Sequence, residues 1–169
     1  MGSGKTTVGQ QLSQKLGLPV IDLDQQIEAQ AQCTVAEFFK TKGELTFRKL
    51  EHQILQQLLA RPEKFILTLG GGTPCYFDNH LLLQQPFIIS FFLKTSVATL
   101  VQRIQHARET RPLLAHIDDA QLEEFVAKHL FDRNAFYLQA NHIISTDLKN
   151  AEEVADDIRM LLQNRISVV

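Results

Sequence analysis

Near its start the chain reads Gly2-Ser3-Gly4-Lys5-Thr6-Thr7, in which glycines precede a lysine and two hydroxyl side chains. Glycines let consecutive backbone N–H groups turn inward around phosphate oxygens, and a helix that begins here adds the positive end of its dipole. In such a loop Lys5 reaches the β- and γ-phosphates of a nucleotide, and the Thr6 hydroxyl binds Mg²⁺. The alternative is a plain glycine turn with a solvated lysine and a threonine helix cap. The complete string GSGKTT at the head of a helix favours a phosphate-binding loop.

Such a loop normally follows the central strand of a parallel sheet. Its full pattern, GxxxxGK[ST], requires a glycine two residues ahead of Met1. A parallel sheet without its centre would expose two rows of unpaired backbone groups. The alternative is a sheet whose middle is filled in another way. We expect instead a first strand of about five to seven residues ahead of Met1, in a longer form of the sequence.

The rest of the chain alternates short apolar runs with helical periodicity. The apolar runs predict strands over 20–23, 65–69, 87–93 and 142–146. Apolar spacing, caps and breakers predict helices over 5–16, 25–32, 34–42, 44–60, 96–106, 119–140 and 150–163, with a polar surface loop over 107–118. Thr34 and Glu37 have the spacing of a capping box. Strands that alternate with helices predict an α/β fold around a parallel sheet.

The composition is that of one ordinary globular domain over residues 1–169. Hydrophobic residues make up 44% and charged residues 21% of the 169 residues, which argues against disorder. The net charge of −2 provides no overall attraction to nucleic acid or to an anionic membrane. No apolar run approaches the ~20 residues of a membrane span. We therefore expect no nucleic-acid or membrane partner, and a local cluster must hold any bound anion.

The cysteines and histidines show no metal-ligand pattern. Cys33 and Cys75 lie far apart without a CxxC spacing, and the six histidines form no HxxxH or HxxEH set. We therefore expect two free thiols, which are typical of a reducing compartment. Because no apolar stretch follows the single positive charge near the start, we expect no signal peptide and a cytoplasmic protein.

Two carboxylates, those of Asp22 and Asp24, come at the end of the first predicted strand. Alternation along a strand places both on one side, at the carboxyl edge of the sheet, where open α/β folds bind ligands. One could hold a metal-bound water while the other accepts a proton or hydrogen bond from a substrate hydroxyl. Equally, Asp24 suits the cap position of the helix predicted to follow it. The spacing leaves both interpretations open.

Arg48 lies one turn into the helix predicted over 44–60. A salt bridge with Glu44 or Glu51 is the usual interpretation of such an arginine. The string Gly70-Gly71-Gly72 follows a buried strand, and its lack of side chains lets a ligand or another backbone come close. The alternative there is a flexible turn.

Two further arginines are candidate anion ligands. Arg111 lies in the predicted loop beside Pro112, and Arg133 lies on the long helix near Tyr137. The alternative interpretation of each arginine is an ordinary charged residue on the protein surface. A protein without net positive charge that binds phosphate nevertheless needs local arginines of this kind.

Taken in order, the segments GSGKTT, IDLD, GELTFRKLE, LGGGT, TRPLL and DRNAFY resemble the shikimate kinase family, in the nucleoside-monophosphate-kinase-like P-loop group. The resemblance covers nearly the whole chain. The combination of GExxFRxxE, a triple glycine and RPLL is far more specific than the phosphate loop alone. It implies a three-layer α/β/α P-loop kinase fold with a parallel sheet in the order 2-3-1-4-5, whose first strand is the one expected ahead of Met1.

The resemblance implies ATP-dependent phosphorylation of the shikimate 3-hydroxyl to shikimate 3-phosphate, in chorismate and aromatic amino acid biosynthesis. ATP and shikimate would be the small-molecule partners of a monomer, with Mg²⁺ as cofactor. Residues 24–60 would form the shikimate-binding part, and residues 106–121 a lid. The rivals are a gluconate-type or other small-molecule kinase, and a nucleotide-binding module without catalysis. A nucleotide acceptor needs no base, so Asp24 followed by GELTFR disfavours a nucleotide kinase.

The site residues implied by the resemblance fall into two groups. Those that would bind ATP are Gly2, Ser3, Gly4, Lys5, Thr6, Thr7, Arg103 and Arg111, with the metal held by Thr6 and, through water, by Asp22. Those that would bind shikimate are Asp24, Arg48, Gly70, Gly71, Gly72 and Arg133. The catalytic residues would be Lys5 and Arg111, which neutralise the transferring phosphoryl group, and Asp24, the candidate base.

Overall fold

The computed structural model describes residues 2–106 and 119–166, with side chains over 2–106 and 121–163. The strands are β1 Val20–Asp22, β2 Ile66–Thr68, β3 Phe91–Lys94 and β4 His142–Ser145. The helices are α1 Lys5–Leu16, α2 Leu23–Ala31, α3 Val35–Lys42, α4 Glu44–Leu59, α5 Asn79–Leu82, α6 Val97–His106, α7 Asp119–Tyr137 and α8 Ala151–Ile166, with a 3₁₀ turn at Thr73–Cys75. Helices therefore alternate with short strands, as predicted.

The strand pairing within these residues is parallel. β1 pairs with β2 in the register Val20↔Ile66 to Asp22↔Thr68, and β3 pairs with β4 from Phe91↔His142 to Lys94↔Ser145. The predicted order 2-3-1-4-5 counts the strand expected ahead of Met1 as strand 1. In that numbering, β1 and β2 are the neighbours 2-3, and β3 and β4 are the neighbours 4-5. The first strand of that order, expected ahead of Met1, is not among the elements of the described residues.

A glycine brings helix α1 close to the first strand pair. Gly9 is buried, and a Cβ there would lie 2.9 Å from Thr68 Cγ2 and 3.3 Å from Val20 Cγ2. Because a side chain at this position would collide with β2, glycine permits the close approach of helix and strands. The phosphate loop that precedes α1 is thereby fixed relative to β1 and β2.

Three apolar clusters form the core. The first joins α1 and α8 with β3 and β4, through Val8, Leu12, Leu93, Ile144, Val154 and Ile158. The second joins α2, α3 and α4, through Leu23, Ile27, Phe38, Phe47, Ile54, Leu55 and Leu58. The third joins α6 and α7, through Leu100, Ile104, Leu122 and Val126. The helices that flank the predicted lid therefore pack separately from those that carry Asp24 and Arg48.

Most element boundaries lie within one residue of the predicted ones. α1 has the predicted bounds, and Thr34 and Glu37 form the predicted capping box. The strand predicted over 87–93 is found at Phe91–Lys94, the four residues that pair with β4 from His142 to Ser145. The 3₁₀ turn and α5 were missed because elements of three and four residues are too short for apolar periodicity.

Both cysteines, Cys33 and Cys75, carry free thiols. Over the described ranges, no helix combines the length and the apolar character that crossing a membrane requires.

Candidate active site

The phosphate loop has the backbone conformation of an anion-binding turn. Gly2 and Gly4 have φ angles of 74° and 84°, in the left-handed region that glycine adopts without strain. Gly4 is the N-cap of α1, and it has no side chain to occupy the first N–H groups of the helix. Lys5 opens the helix, and its ammonium group donates to Ser3 Oγ at 3.4 Å. The loop therefore presents backbone N–H groups and a lysine to the same space.

A cleft of about 370 Å³ opens over this loop. Its lining comprises Gly2, Ser3, Gly4, Lys5, Thr6, Thr7, Asp24, Gly70, Gly71 and Arg133. These residues come from the loop, the first turn of α2, the segment after β2, and α7. Three charged residues that are distant in sequence, Lys5, Asp24 and Arg133, thus meet in one cleft.

Asp22 is the cap of helix α2. Its Oδ1 accepts hydrogen bonds from the backbone N–H groups of Asp24 at 3.0 Å and Gln25 at 3.3 Å, and its Oδ2 accepts from the Thr68 hydroxyl at 2.7 Å. The interpretation of Asp24 as the cap is therefore wrong. The helix begins at Leu23 rather than at residue 25, because Asp22 fills the cap position and Asp24 lies in the first turn.

Asp24 lines the cleft with a perturbed carboxyl group. Burial raises its pKa above the ordinary value of 3.8; the charges of Asp22 and Glu51 raise it further, and the Lys5 ammonium opposes them. A Cβ at Gly70 would lie 3.2 Å from Asp24 Oδ1, so glycine lets the segment after β2 approach this carboxylate. A raised pKa makes Asp24 a stronger base than an exposed aspartate, which suits proton abstraction from a hydroxyl.

Arg48 is buried in a network of acidic and aromatic side chains. Its guanidinium donates to Glu51 at 2.8 Å and to Glu44 at 3.3 Å, and it lies 4.5 Å from the centroid of the Tyr76 ring. The predicted salt bridge is therefore confirmed, with both glutamates taking part. The position of the guanidinium is fixed from three directions before any ligand binds.

The triple glycine packs directly against the Arg48 guanidinium. A Cβ at Gly72 would lie 2.4 Å from Arg48 Nη2, a distance that no real Cβ tolerates. The next residue, Thr73, is fully buried, and its hydroxyl donates to Glu51 Oε1 at 2.7 Å. The close approach of the Arg48 side chain therefore accounts for glycine at position 72. The alternative of a flexible turn stays a hypothesis.

Arg133 approaches the same turn from α7. It lines the cleft, and among residues 2–106 and 121–163 no carboxylate forms an ion pair with it. Burial raises the pKa of the Cys75 thiol in the 3₁₀ turn, and the charges of both Arg133 and Arg48 oppose that effect. Both guanidinium groups therefore lie near the segment that follows β2.

Comparison with known sequences decides the family. The sequence profile of the shikimate kinase family, SKI, matches residues 1–163. The chain belongs to the shikimate kinase family. The shikimate kinase of Flavobacterium johnsoniae is 46% identical over 162 residues, which are 96% of this chain and 94% of that protein. The shikimate kinase of Flavobacterium psychrophilum is 47% identical over 162 residues, with the same coverage of 96% and 94%.

Solved structures of shikimate kinases share the fold. The crystal structure of the enzyme from Bacteroides thetaiotaomicron matches with a TM-score of 0.88 at 35% identity, covering 96% of this chain and 94% of that chain. Shikimate kinase from Acinetobacter baumannii, solved in complex with shikimate, matches with a TM-score of 0.85 at 32% identity, covering 98% and 89%. The predicted family, P-loop kinase fold and enzyme class are therefore confirmed.

One predicted ATP ligand of this shikimate kinase family member, Arg103, is not among the residues that line the cleft. Arg103, on α6, donates from Nη2 to the backbone oxygen of Thr146 at 3.3 Å, just after β4. Its contact with ATP stays a prediction. Arg111 and most of the predicted lid over 106–121 lie outside the described residues.

Sequence reasoning missed the polar side chains that support the acceptor residues. The Thr68 hydroxyl donates a hydrogen bond to the Asp22 carboxylate, and the Thr73 hydroxyl donates one to Glu51. Asn79 is fully buried, donates to the Thr73 carbonyl at 2.8 Å, and contacts His52 Nδ1 through its Oδ1 at 2.6 Å. Thr73 stands next to the triple glycine, which could have drawn attention to it. Asn79 has no comparable signal, because its partners lie on other elements.

Proposed function

We propose that this chain transfers the γ-phosphoryl group of ATP to the 3-hydroxyl of shikimate, giving ADP and shikimate 3-phosphate in chorismate and aromatic amino acid biosynthesis. The observation that carries the proposal is the single cleft in which Lys5, Asp24 and Arg133 meet. A phosphate-binding loop, a base and a cation for a carboxylate are the three groups that this reaction needs. Membership of the shikimate kinase family supports the same assignment.

The loop Gly2–Thr7 would bind the phosphates of ATP through its N–H groups, with Lys5 at the β- and γ-phosphates. Bound Mg²⁺ would neutralise phosphate charge in the transition state. The donor set fits this ion. Thr6 lines the cleft, and an Asp22 carboxylate with about four acceptor positions uses three for Asp24, Gln25 and Thr68. The remaining position, on Oδ2, would accept a hydrogen bond from a metal-bound water.

Asp24 would accept the proton of the shikimate 3-hydroxyl on its carboxylate. The hydroxyl oxygen then forms its bond to the γ-phosphorus while the bond from that phosphorus to the bridging oxygen of ADP breaks, so ADP leaves with the electron pair. Lys5 would stabilise the negative charge that moves onto the transferring and leaving groups. The raised pKa of Asp24, caused first by burial, supports its role as the base.

Arg133 and Arg48 would bind the shikimate carboxylate, and the backbone of Gly70, Gly71 and Gly72 would contact the ring. Arg133 is the stronger candidate for a direct ion pair, since Arg48 already has two carboxylate partners. Arg48 retains further N–H groups, because a guanidinium carries five donors in a fixed plane.

Other parts of the proposal concern regions away from this cleft. Residues 106–121 would close as a lid that excludes water and brings Arg111 to the phosphoryl group, while Arg103 would contact the adenine. The protein would work as a monomeric single domain over residues 1–169, with residues 24–60 forming the shikimate-binding part. The free thiols of Cys33 and Cys75 support a reducing, cytoplasmic location.

An ADP-release assay tests the proposal. Protein with ATP, Mg²⁺ and shikimate should release ADP, and omission of shikimate or Mg²⁺ should stop the release. Gluconate and nucleoside monophosphates as acceptors separate the kinase alternatives, and shikimate lacking the 3-hydroxyl tests the site of transfer. ADP release that does not depend on shikimate, or turnover with another acceptor only, would contradict the proposal. Binding of ATP without any turnover would favour an inactive nucleotide-binding module.

A further inference from the structure

The Tyr137 hydroxyl connects α7 to the triple glycine. It donates to the carbonyl oxygen of Gly71 at 2.6 Å. The ring packs on Phe92 of β3, with the two centroids 4.9 Å apart. A strand therefore holds the ring while the hydroxyl reaches the lining of the cleft.

Arg133 lies one turn earlier on α7, so the two side chains project from the same face of the helix. Gly71, which accepts the hydrogen bond of Tyr137, lines the cleft together with Arg133. The charge of Arg133 also opposes the rise that burial causes in the pKa of Tyr137. The hydrogen bond to Gly71 therefore fixes the part of α7 that carries Arg133 relative to the glycine turn.

We propose that Tyr137 is a positioning residue of the acceptor site: its hydrogen bond to Gly71 holds the part of α7 that carries Arg133 in register with the Gly70–Gly72 turn. The inference rests on the proposed function, in which Arg133 and the turn both contact shikimate. Arg48 is oriented by Glu44 and Glu51. Arg133 has no such carboxylate partner among residues 2–106 and 121–163, so its place depends on that of α7, which the Tyr137 hydroxyl ties to the glycine turn.

The test is Tyr137→Phe, which keeps the ring and its packing on Phe92 and removes one oxygen atom. The dissociation constant for shikimate, measured by calorimetry without nucleotide, should rise about threefold to tenfold, the net effect of one hydrogen bond. The KM for shikimate should rise in parallel, while the KM for ATP and kcat should stay within about twofold. A merely structural role would lower the melting temperature and would not act on the shikimate KM alone.

Ser13→Ala is the matched control. It also removes a hydroxyl that donates to a backbone carbonyl at 2.6 Å, in this case that of Leu18, at the far end of α1. Its shikimate affinity should equal that of the wild-type protein. An equal loss of affinity in Ser13→Ala and Tyr137→Phe would overturn the inference.

A double-mutant cycle asks whether Tyr137 acts through Arg133. In the Arg133→Ala background, Tyr137→Phe should change shikimate affinity less than in the wild-type background. The same effect in both backgrounds, or unchanged affinity in Tyr137→Phe alone, overturns the inference while leaving the proposed function intact. Wild-type protein that neither binds nor phosphorylates shikimate overturns both.

Discussion

The two sides of the cleft are built by different means. The phosphate side consists of backbone, with positive φ angles at Gly2 and Gly4 and the N-terminus of α1 behind them. The acceptor side consists of side chains bonded to one another, such as Arg48 to Glu51 at 2.8 Å and Thr73 to Glu51 at 2.7 Å. In such a network the loss of one member leaves a buried partner unsatisfied. Substitutions should therefore change chemistry alone on the first side, and affinity together with stability within the buried network of Arg48, Glu51 and Thr73 on the second.

Lys5→Ala should have the largest effect, and it should be confined to chemistry. The ammonium stabilises charge that develops on the phosphates in the transition state, so kcat should fall by roughly 10³-fold or more. The fold should be intact, because Lys5 lies at the partly exposed head of α1. Single-turnover phosphoryl transfer and thermal unfolding measure the two quantities.

Lys49→Ala removes an exposed lysine elsewhere and is the control for Lys5→Ala. It should leave kcat unchanged. Near-normal turnover in Lys5→Ala would refute the role of this lysine and with it the distinction between the two sides.

Arg133→Ala should chiefly weaken shikimate binding. It removes one partner of a charge-assisted pair worth about 2–5 kcal/mol when desolvated. The KM for shikimate should rise accordingly while the KM for ATP stays nearly constant, in steady-state assays with each substrate varied. Lys128→Ala, an exposed change on the same helix, is the control. If only the ATP affinity changed, Arg133 would belong to the phosphate side.

Gly72→Ala should disturb affinity and stability together. The new Cβ would lie 2.4 Å from Arg48 Nη2, so the guanidinium or the turn must move. Overpacking of this kind costs about 1–3 kcal/mol, which denaturant unfolding measures, and the shikimate KM should rise as well. In an Arg48→Ala background the stability cost should shrink, because the colliding group is gone. An unchanged cost there would show that the turn, and not Arg48, requires glycine at this position.

The same difference between the two sides explains what the sequence could predict. The phosphate loop is one contiguous string, so Gly2–Thr7 predicted both its conformation and its place at the head of α1. The acceptor residues come from α2, α4 and α7, and they were found through resemblance to a family rather than through spacing. Their supports, Thr73 and Asn79, were not found, since a buried hydrogen bond between distant elements leaves no local pattern.

Asp24 lies between the two sides of the cleft. Its charged form, which is the form that acts as a base, should lower the free energy of unfolding. Burial, with Asp22 and Glu51, raises its pKa in the folded protein above the 3.8 of the unfolded chain. The folded state therefore binds this proton more tightly, and Asp24 reduces the free energy of unfolding as pH rises from below 3.8 through the folded pKa.

Asp24→Asn removes this titration and should give a small gain in stability at neutral pH. Denaturant unfolding of both proteins between pH 3 and pH 8 measures the difference in unfolding free energy. That difference should be smallest at the acid end, grow as pH rises through the window above 3.8, and then stay constant. The carboxylates whose pKa is lowered, such as Asp147 and Asp156, titrate in both proteins and cancel. The contradicting result is a difference in unfolding free energy, variant minus wild type, that does not grow between the acid end and pH 8. It would mean that Lys5 stabilises the Asp24 charge more than burial opposes it.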